Sequence, residues 1–315
     1  MGGLWHGPAG QGLSADPAAL LPRCGTEALE RQQPLISLPA DRAAEATPGA
    51  RAPEPRAESF NLPSGWTLER CSSTGAAAER AAELLLNTWI ASPQRPLGLA
   101  TGRTMEPVYG ELVRRWQALP EGRREQLRQS WLSFNLDEYV GLAPADPRSF
   151  AAAMARQLGQ PLGLHPDRLL LPDGLAADPA EEAEAYALRL QRAGGLGLQL
   201  LGLGLNGHVG FNEPPCGPGA RCRCVQLSAS TREQNAGAFG GDPAAVPERA
   251  ISLGLHEILA AERLLLVVTG PGKAAILERL LREAPSDALP ASWLRQHRDL
   301  TLIVDADALP VPATD

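Results

Sequence analysis

From Gly65 onward, apolar runs of strand length alternate with amphipathic helical segments, and this alternation restricts the chain to an α/β fold with a mostly parallel sheet. The strand-like runs are Trp66–Arg70, Leu97–Thr101, Trp131–Leu136, Arg168–Leu171, Gly197–Gly202, Leu264–Thr269 and Leu300–Val304. Between them lie helical patterns, among them Ala76–Ile90, Glu106–Ala118, Pro179–Ala193 and Lys273–Glu283. In the last of these, Ala274, Ile276, Leu277, Leu280 and Leu281 recur at helical spacing. The expected architecture is one doubly wound, three-layer α/β/α domain spanning residues 59–315, with no internal repeat.

Residues 1–58 have a different composition. Pro8, Pro17, Pro22, Pro34, Pro39, Pro48, Pro53 and Pro55 interrupt them, Trp5 is their one aromatic before Phe60, and no periodicity is sustained. Such a stretch buries too little apolar surface to offset its ordering entropy, so a disordered tail is expected. Asp16, Glu27, Glu30, Asp41, Glu45, Glu54 and Glu58 make it too acidic for the usual transit peptide. A start codon assigned too far upstream accounts for it equally well.

Charge and cysteines narrow the function classes. A net charge of −7 disfavours nucleic acid or an anionic membrane as the main partner, so an anionic ligand needs a local positive site. The five cysteines (Cys24, Cys71, Cys216, Cys222 and Cys224) are odd in number and unevenly spaced, unlike a secreted disulfide framework. No apolar run approaches the roughly 18 residues of a membrane helix, and no secretory signal precedes the domain. A cytoplasmic protein is the expectation, and the chain is compatible with a homo-oligomer.

Open parallel sheets bind ligands beyond the carboxyl ends of their strands, which directs attention to three clusters. In Leu97-Gly-Leu-Ala-Thr-Gly-Arg-Thr104 a strand runs through a Gly turn into a helix, a ready anion site, although an ordinary turn with Thr104 as N-cap reads the same. In Ser133-Phe-Asn-Leu-Asp-Glu-Tyr-Val-Gly-Leu142, Asp137 and Glu138 follow an apolar run. A carboxylate at a buried strand end would have a raised pKa and serve as a base; in a solvated turn it would do neither. Leu201-Gly-Leu-Gly-Leu-Asn-Gly-His-Val-Gly-Phe-Asn-Glu-Pro214 exposes His208 among glycines, with Glu213 five residues on. An imidazole so placed suits general acid/base work, and a histidine packed in a core does not need those glycines.

Taken in this order, TGxT after a strand, FNxDEYVGL and GxGxNGHxGFNEP resemble the glucosamine-6-phosphate deaminases; Lys273 in Thr269-Gly-Pro-Gly-Lys-Ala274 adds a fourth match. The resemblance spans about residues 65–305 and implies a Rossmann-like fold and an amino-sugar-phosphate substrate. It implies that Thr101, Gly102, Arg103, Thr104 and Lys273 bind the phosphate end. It further implies that His208 opens the pyranose ring, Glu213 holds the imidazole and favours its charged form, and Asp137 takes the C2 proton. No metal or organic cofactor is called for. Close alternatives are a 6-phosphogluconolactonase and a galactosamine-6-phosphate deaminase. From another class, a non-catalytic sugar-phosphate sensor is the alternative, although the chain shows no helix-turn-helix.

Two positions depart from the family pattern. Asn206 stands where many relatives have aspartate beside the histidine, so only a weaker elevation of the His208 pKa is expected. Relatives also carry an Asn-Ser-Arg triplet whose arginine reaches the phosphate; here the aligned residues are Asn235, Ala236 and Gly237. That contact is lost, or taken over by Arg232 or Arg103. Cys216, Cys222 and Cys224 make poor zinc spacing with no fourth ligand nearby. Leu227–Ala250, rich in glycine with Phe239 as its one aromatic, is expected to be a mobile lid over the sugar.

Overall fold

A computed structural model describes residues 62–309; the predicted tail, residues 1–58, lies outside them. The strands are β1 (Trp66–Cys71), β2 (Leu97–Leu99), β3 (Ser133–Asn135), β4 (Asp137–Tyr139), β5 (Leu169–Leu170), β6 (Leu198–Gly202), β7 (Arg223–Gln226), β8 (Arg249–Ser252), β9 (Leu264–Val268) and β10 (Leu300–Asp305). The helices are α1 (Thr74–Ala91), α2 (Met105–Gln117), α3 (Glu121–Ser130), α4 (Phe150–Met154), α5 (Gln160–Leu162), α6 (Pro179–Arg192), α7 (Ala229–Asn235), α8 (Leu255–Leu259) and α9 (Ala274–Arg282).

Seven strands form one sheet in the order β1-β10-β9-β6-β2-β3-β5, every pair parallel. Each of these seven contains or overlaps one of the runs read from the sequence, and helices flank the sheet. The interior strand β9, Leu-Leu-Leu-Val-Val, is buried at every position, as a strand covered on both faces must be. The edge strand β1 instead exposes Thr67 and Arg70. Helix α1 packs on α2 and on the sheet, and buries the small residues Ala77, Ala78, Ala81 and Ala82. Ser73 caps it by accepting the Ala76 N–H at 3.2 Å.

Chain direction across the sheet reverses between β2 and β6. From β2 the chain moves outward through β3 to β5, then returns to β6 and runs outward through β9 to β10 on the other side. The carboxyl ends of β9, β6, β2 and β3 therefore lie side by side, and all the clusters found in the sequence leave the sheet there.

A second sheet was not anticipated. Strands β4, β8 and β7 pair antiparallel in that order, with Asp137 opposite Ser252 and Arg223 also opposite Ser252. Beneath it lies a separate apolar cluster built on Tyr139, Leu142, Phe211, Leu227, Phe239 and Val246. Tyr139 is its hub: the Phe150 ring lies 4.6 Å away, Phe239 5.6 Å and Phe211 5.7 Å between centroids. The expected lid is thus better anchored than its composition implied. Segment 227–250 comprises α7, two 3-10 turns and the start of β8, and Leu227, Ala236, Phe239, Val246 and Ala250 are all buried.

Candidate active site

The turn after β6 is shaped around one imidazole. The Gly204 N–H donates to the His208 carbonyl at 2.9 Å, and the Gly207 N–H, at a φ of +85°, donates to the Gly204 carbonyl at 3.0 Å. His208 lies directly across Gly204, where a Cβ would stand 2.3 Å from the ring, so no side chain fits there. Asn206 fixes the ring from the other side. Its Oδ1 accepts the His208 backbone N–H at 3.1 Å and stands 2.6 Å from Nδ1. An oxygen already accepting one N–H can only accept again, so Nδ1 carries the proton and Nε2 keeps its lone pair.

The protonation of His208 corrects the expectation for it. Burial pushes the imidazole down to about 4; the Glu213 carboxylate pulls the other way and Lys273 adds to the depression. The ring is therefore neutral near pH 7. Glu213 does not hold it either. Its carboxylate accepts the Ser228 N–H at 2.8 Å, the Ser228 hydroxyl at 2.6 Å and the Thr231 hydroxyl, and these bonds draw its pKa below the usual range despite burial. Ser228 is the N-cap of α7, so Glu213 ties the histidine loop to the first helix of the lid, and the orienting role falls to Asn206.

Asp137 and Glu138 occupy successive positions of β4 and project to opposite faces. Neither is solvated: both are buried. Asp137 faces the histidine loop, since a Cβ on Gly210 would lie 3.5 Å from its Oδ2 and 3.3 Å from the Ser252 hydroxyl. Burial, then the neighbouring Glu138, push the Asp137 carboxyl up to about 8. Glu138 has an architectural task, accepting the N–H groups of Phe150 at 3.0 Å and Ala151 at 2.7 Å at the start of α4. Burial raises its pKa as well, opposed by those bonds.

Ser252 and Asn212, which the sequence did not single out, tie the histidine loop to the small sheet at this point. The Ser252 hydroxyl accepts the Phe211 N–H at 3.1 Å. Buried Asn212 donates to the carbonyls of Val209 at 3.0 Å and Leu253 at 2.9 Å, and accepts from Arg223 at 2.9 Å. Asn212 lies inside the FNEP run and was legible there; Ser252 carried no local signal.

The remaining predicted residues stand on the turns after β2 and β9. Gly102 takes a φ of +122°, a conformation glycine adopts without strain, and its carbonyl accepts the Met105 N–H at 2.8 Å. Thr104 precedes α2 but makes no side-chain cap bond, leaving its hydroxyl available beside half-buried Thr101. Lys273 is partly buried, and its pKa is lowered by that burial and then by Arg103, so the two cations are close enough to repel. Among the described residues neither has a carboxylate partner. Arg232 is engaged elsewhere, donating to the carbonyls of Val246 at 3.2 Å and Ala244 at 3.1 Å. A Cβ at Gly237 would meet nothing within 4 Å.

The chain is similar in sequence and fold to known proteins. A family model described as glucosamine-6-phosphate isomerases/6-phosphogluconolactonase matches residues 71–303. The glucosamine-6-phosphate deaminase of Bacillus velezensis is 38% identical over 239 residues, 76% of this chain and 96% of that protein. The glucosamine-6-phosphate deaminase of Shewanella loihica is 39% identical over 231 residues, 73% of this chain and 84% of that one. Among solved structures, a monomeric glucosamine-6-phosphate deaminase superposes with a TM-score of 0.72 at 35% identity, covering 77% of this chain and 98% of its own. The 6-phosphogluconolactonase of Trypanosoma cruzi shares the fold at a TM-score of 0.61 and 19% identity, over 79% and 96% of the two chains.

Proposed function

This chain belongs to the glucosamine-6-phosphate isomerase and 6-phosphogluconolactonase family, and we propose that within it the protein is a glucosamine-6-phosphate deaminase. The observation that carries this reading is the buried Asp137 carboxyl facing the loop of His208, whose ring Asn206 orients. The reaction converts D-glucosamine 6-phosphate and water to D-fructose 6-phosphate and ammonia. His208, with the Nε2 lone pair free, takes the proton of the anomeric hydroxyl and returns it to the ring oxygen, opening the pyranose. Asp137 removes the C2 proton to give an enolamine. A raised pKa makes the carboxylate a stronger base, matched to a weakly acidic C–H. Reprotonation at C1 yields the C2 imine; water adds there and ammonia leaves, so atoms balance without a cofactor.

Lys273 and Arg103, with Thr101, the Gly102 turn and the Thr104 hydroxyl at the start of α2, hold the phosphate. Two cations lacking carboxylate partners beside a helix N-terminus give an acidic chain the local positive field it needs. Of the two candidates to replace the arginine missing at Gly237, Arg103 is available and Arg232 is occupied. Glu213 acts through α7, joining the lid to the histidine loop. A cytoplasmic location belongs to the same reading, supported by the uneven cysteine set. The described residues contain no helix long and apolar enough to cross a membrane.

Ammonia release from glucosamine 6-phosphate and galactosamine 6-phosphate, with ketose phosphate measured in parallel, tests the assignment. Stoichiometric ammonia and fructose 6-phosphate from the gluco sugar are expected. Hydrolysis of 6-phosphogluconolactone with no ammonia from either hexosamine overturns it.

A further inference from the structure

Asp305 is wholly buried at the carboxyl end of β10, and no catalytic step uses it. Its donors are two backbone N–H groups and one hydroxyl. Both carboxylate oxygens accept the Gly270 N–H, at 3.0 and 3.1 Å. Oδ2 also accepts the Thr74 hydroxyl at 2.6 Å, and Oδ1 the Ala308 N–H at 2.9 Å. One carboxylate thus joins the first residue of α1, the turn after β10 and the turn between β9 and α9.

The last of these carries Lys273. Gly270 sits at a φ of +86°, and its carbonyl accepts the Lys273 N–H at 3.1 Å. The peptide units flanking Gly270 are therefore gripped twice, by Asp305 at the N–H and by the backbone of Lys273 at the carbonyl. Asp305 is not among the charges that perturb the Lys273 ammonium, whose one charged influence is Arg103. Any effect of Asp305 on the lysine runs through backbone geometry. Charge-assisted bonds from a carboxylate to N–H groups are about twice as strong as neutral ones, so the turn is held firmly.

We propose that Asp305 is a positioning residue for Lys273, setting through Gly270 where the ammonium stands relative to the bound phosphate. The inference rests on the reading that Lys273 binds that phosphate. It predicts an effect on binding and not on turnover, because groups that act equally in ground and transition states change KM alone.

The test uses the full chain, measuring kcat and KM for glucosamine 6-phosphate, competitive inhibition by inorganic phosphate, and Tm. Asp305→Ala should raise both KM and the phosphate inhibition constant about tenfold, the loss of one charge-assisted bond, with kcat within about twofold. Asp305→Asn keeps an acceptor for Gly270 and turns its amide toward the Thr74 hydroxyl, so it should rescue most of the effect, leaving about a threefold rise. A lowered Tm with both constants at the wild-type values would make Asp305 a staple of the fold alone and overturn the proposal. So would a fall in kcat at unchanged KM. If Asp305→Ala does not fold, Asp305→Asn decides, and an unchanged inhibition constant overturns the inference. Lys273→Ala separates the two layers. An unchanged inhibition constant there removes the phosphate reading and this inference with it; a raised one beside an unaffected Asp305→Ala removes this inference only.

Discussion

On the seven-stranded sheet the polar groups of the site stand on turns beyond the strand ends, whereas on the small sheet Asp137 stands within a strand. The placement decides the electrostatics. Arg103 is exposed and Lys273 half-buried, so two positive charges coexist at modest cost and wait for an anion. Asp137, held in β4 between β8 and the histidine loop, has no such access to water, and its carboxyl is pushed up to about 8. Turns suit binding because they keep charge solvated until the ligand arrives. A strand suits proton abstraction because it fixes direction and strips water from the base.

The sharpest break of this comparison is Asp137→Asn. The amide keeps the shape and removes the base, so kcat should fall about 10²–10⁴-fold while KM stays near its wild-type value. Retention of solvent-deuterium exchange at C2 in that variant would remove Asp137 from the role. Lys273→Ala should do the reverse, raising KM for glucosamine 6-phosphate about 10- to 150-fold with kcat little changed, as loss of a charged hydrogen bond predicts. Unphosphorylated glucosamine should be indifferent to it. If both variants changed the same constant, the division between turn and strand would fail.

The smallest effect lies in pH. Asp137 must be ionised to act, so kcat/KM should rise with pH through about 8, and His208, neutral above about 4, should not limit that limb. Stability runs the opposite way. A carboxyl whose folded pKa is raised above its ordinary 3.8 favours the folded state when protonated. That contribution is full below about 3.8 and is lost as pH rises through about 8, so activity grows as stability declines. Glu138→Gln removes a like charge and should move the kcat/KM limb to lower pH. A limb that does not move would show that burial alone tunes Asp137.

Local pattern was enough for the large sheet. All seven of its strands were legible, the interior ones most directly, because a strand buried on both faces reads as an unbroken apolar run such as Leu264–Val268. The chemical clusters were legible for the same reason: they follow those strands immediately, in short Gly-rich motifs. The small sheet was hidden. Arg223–Gln226 and Arg249–Ser252 are four residues each and mostly polar or small, and they become strands by pairing with each other and with Asp137–Tyr139, far away in the chain. Sequence placed Asp137 beside Glu138 but could not divide their work; the pleat did, turning one toward the histidine loop and the other onto the start of α4. Glu213 looked like the partner of His208 at five residues' distance, yet Ser228 and Thr231 claim its carboxylate, and Asn206 holds the ring. The same holds for Arg232, Arg103 and Asp305. Residue identity and order along the chain set which groups are available near the strand ends, but hydrogen bonds and desolvation depend on what surrounds each group in space, and that is decided only when distant segments pack.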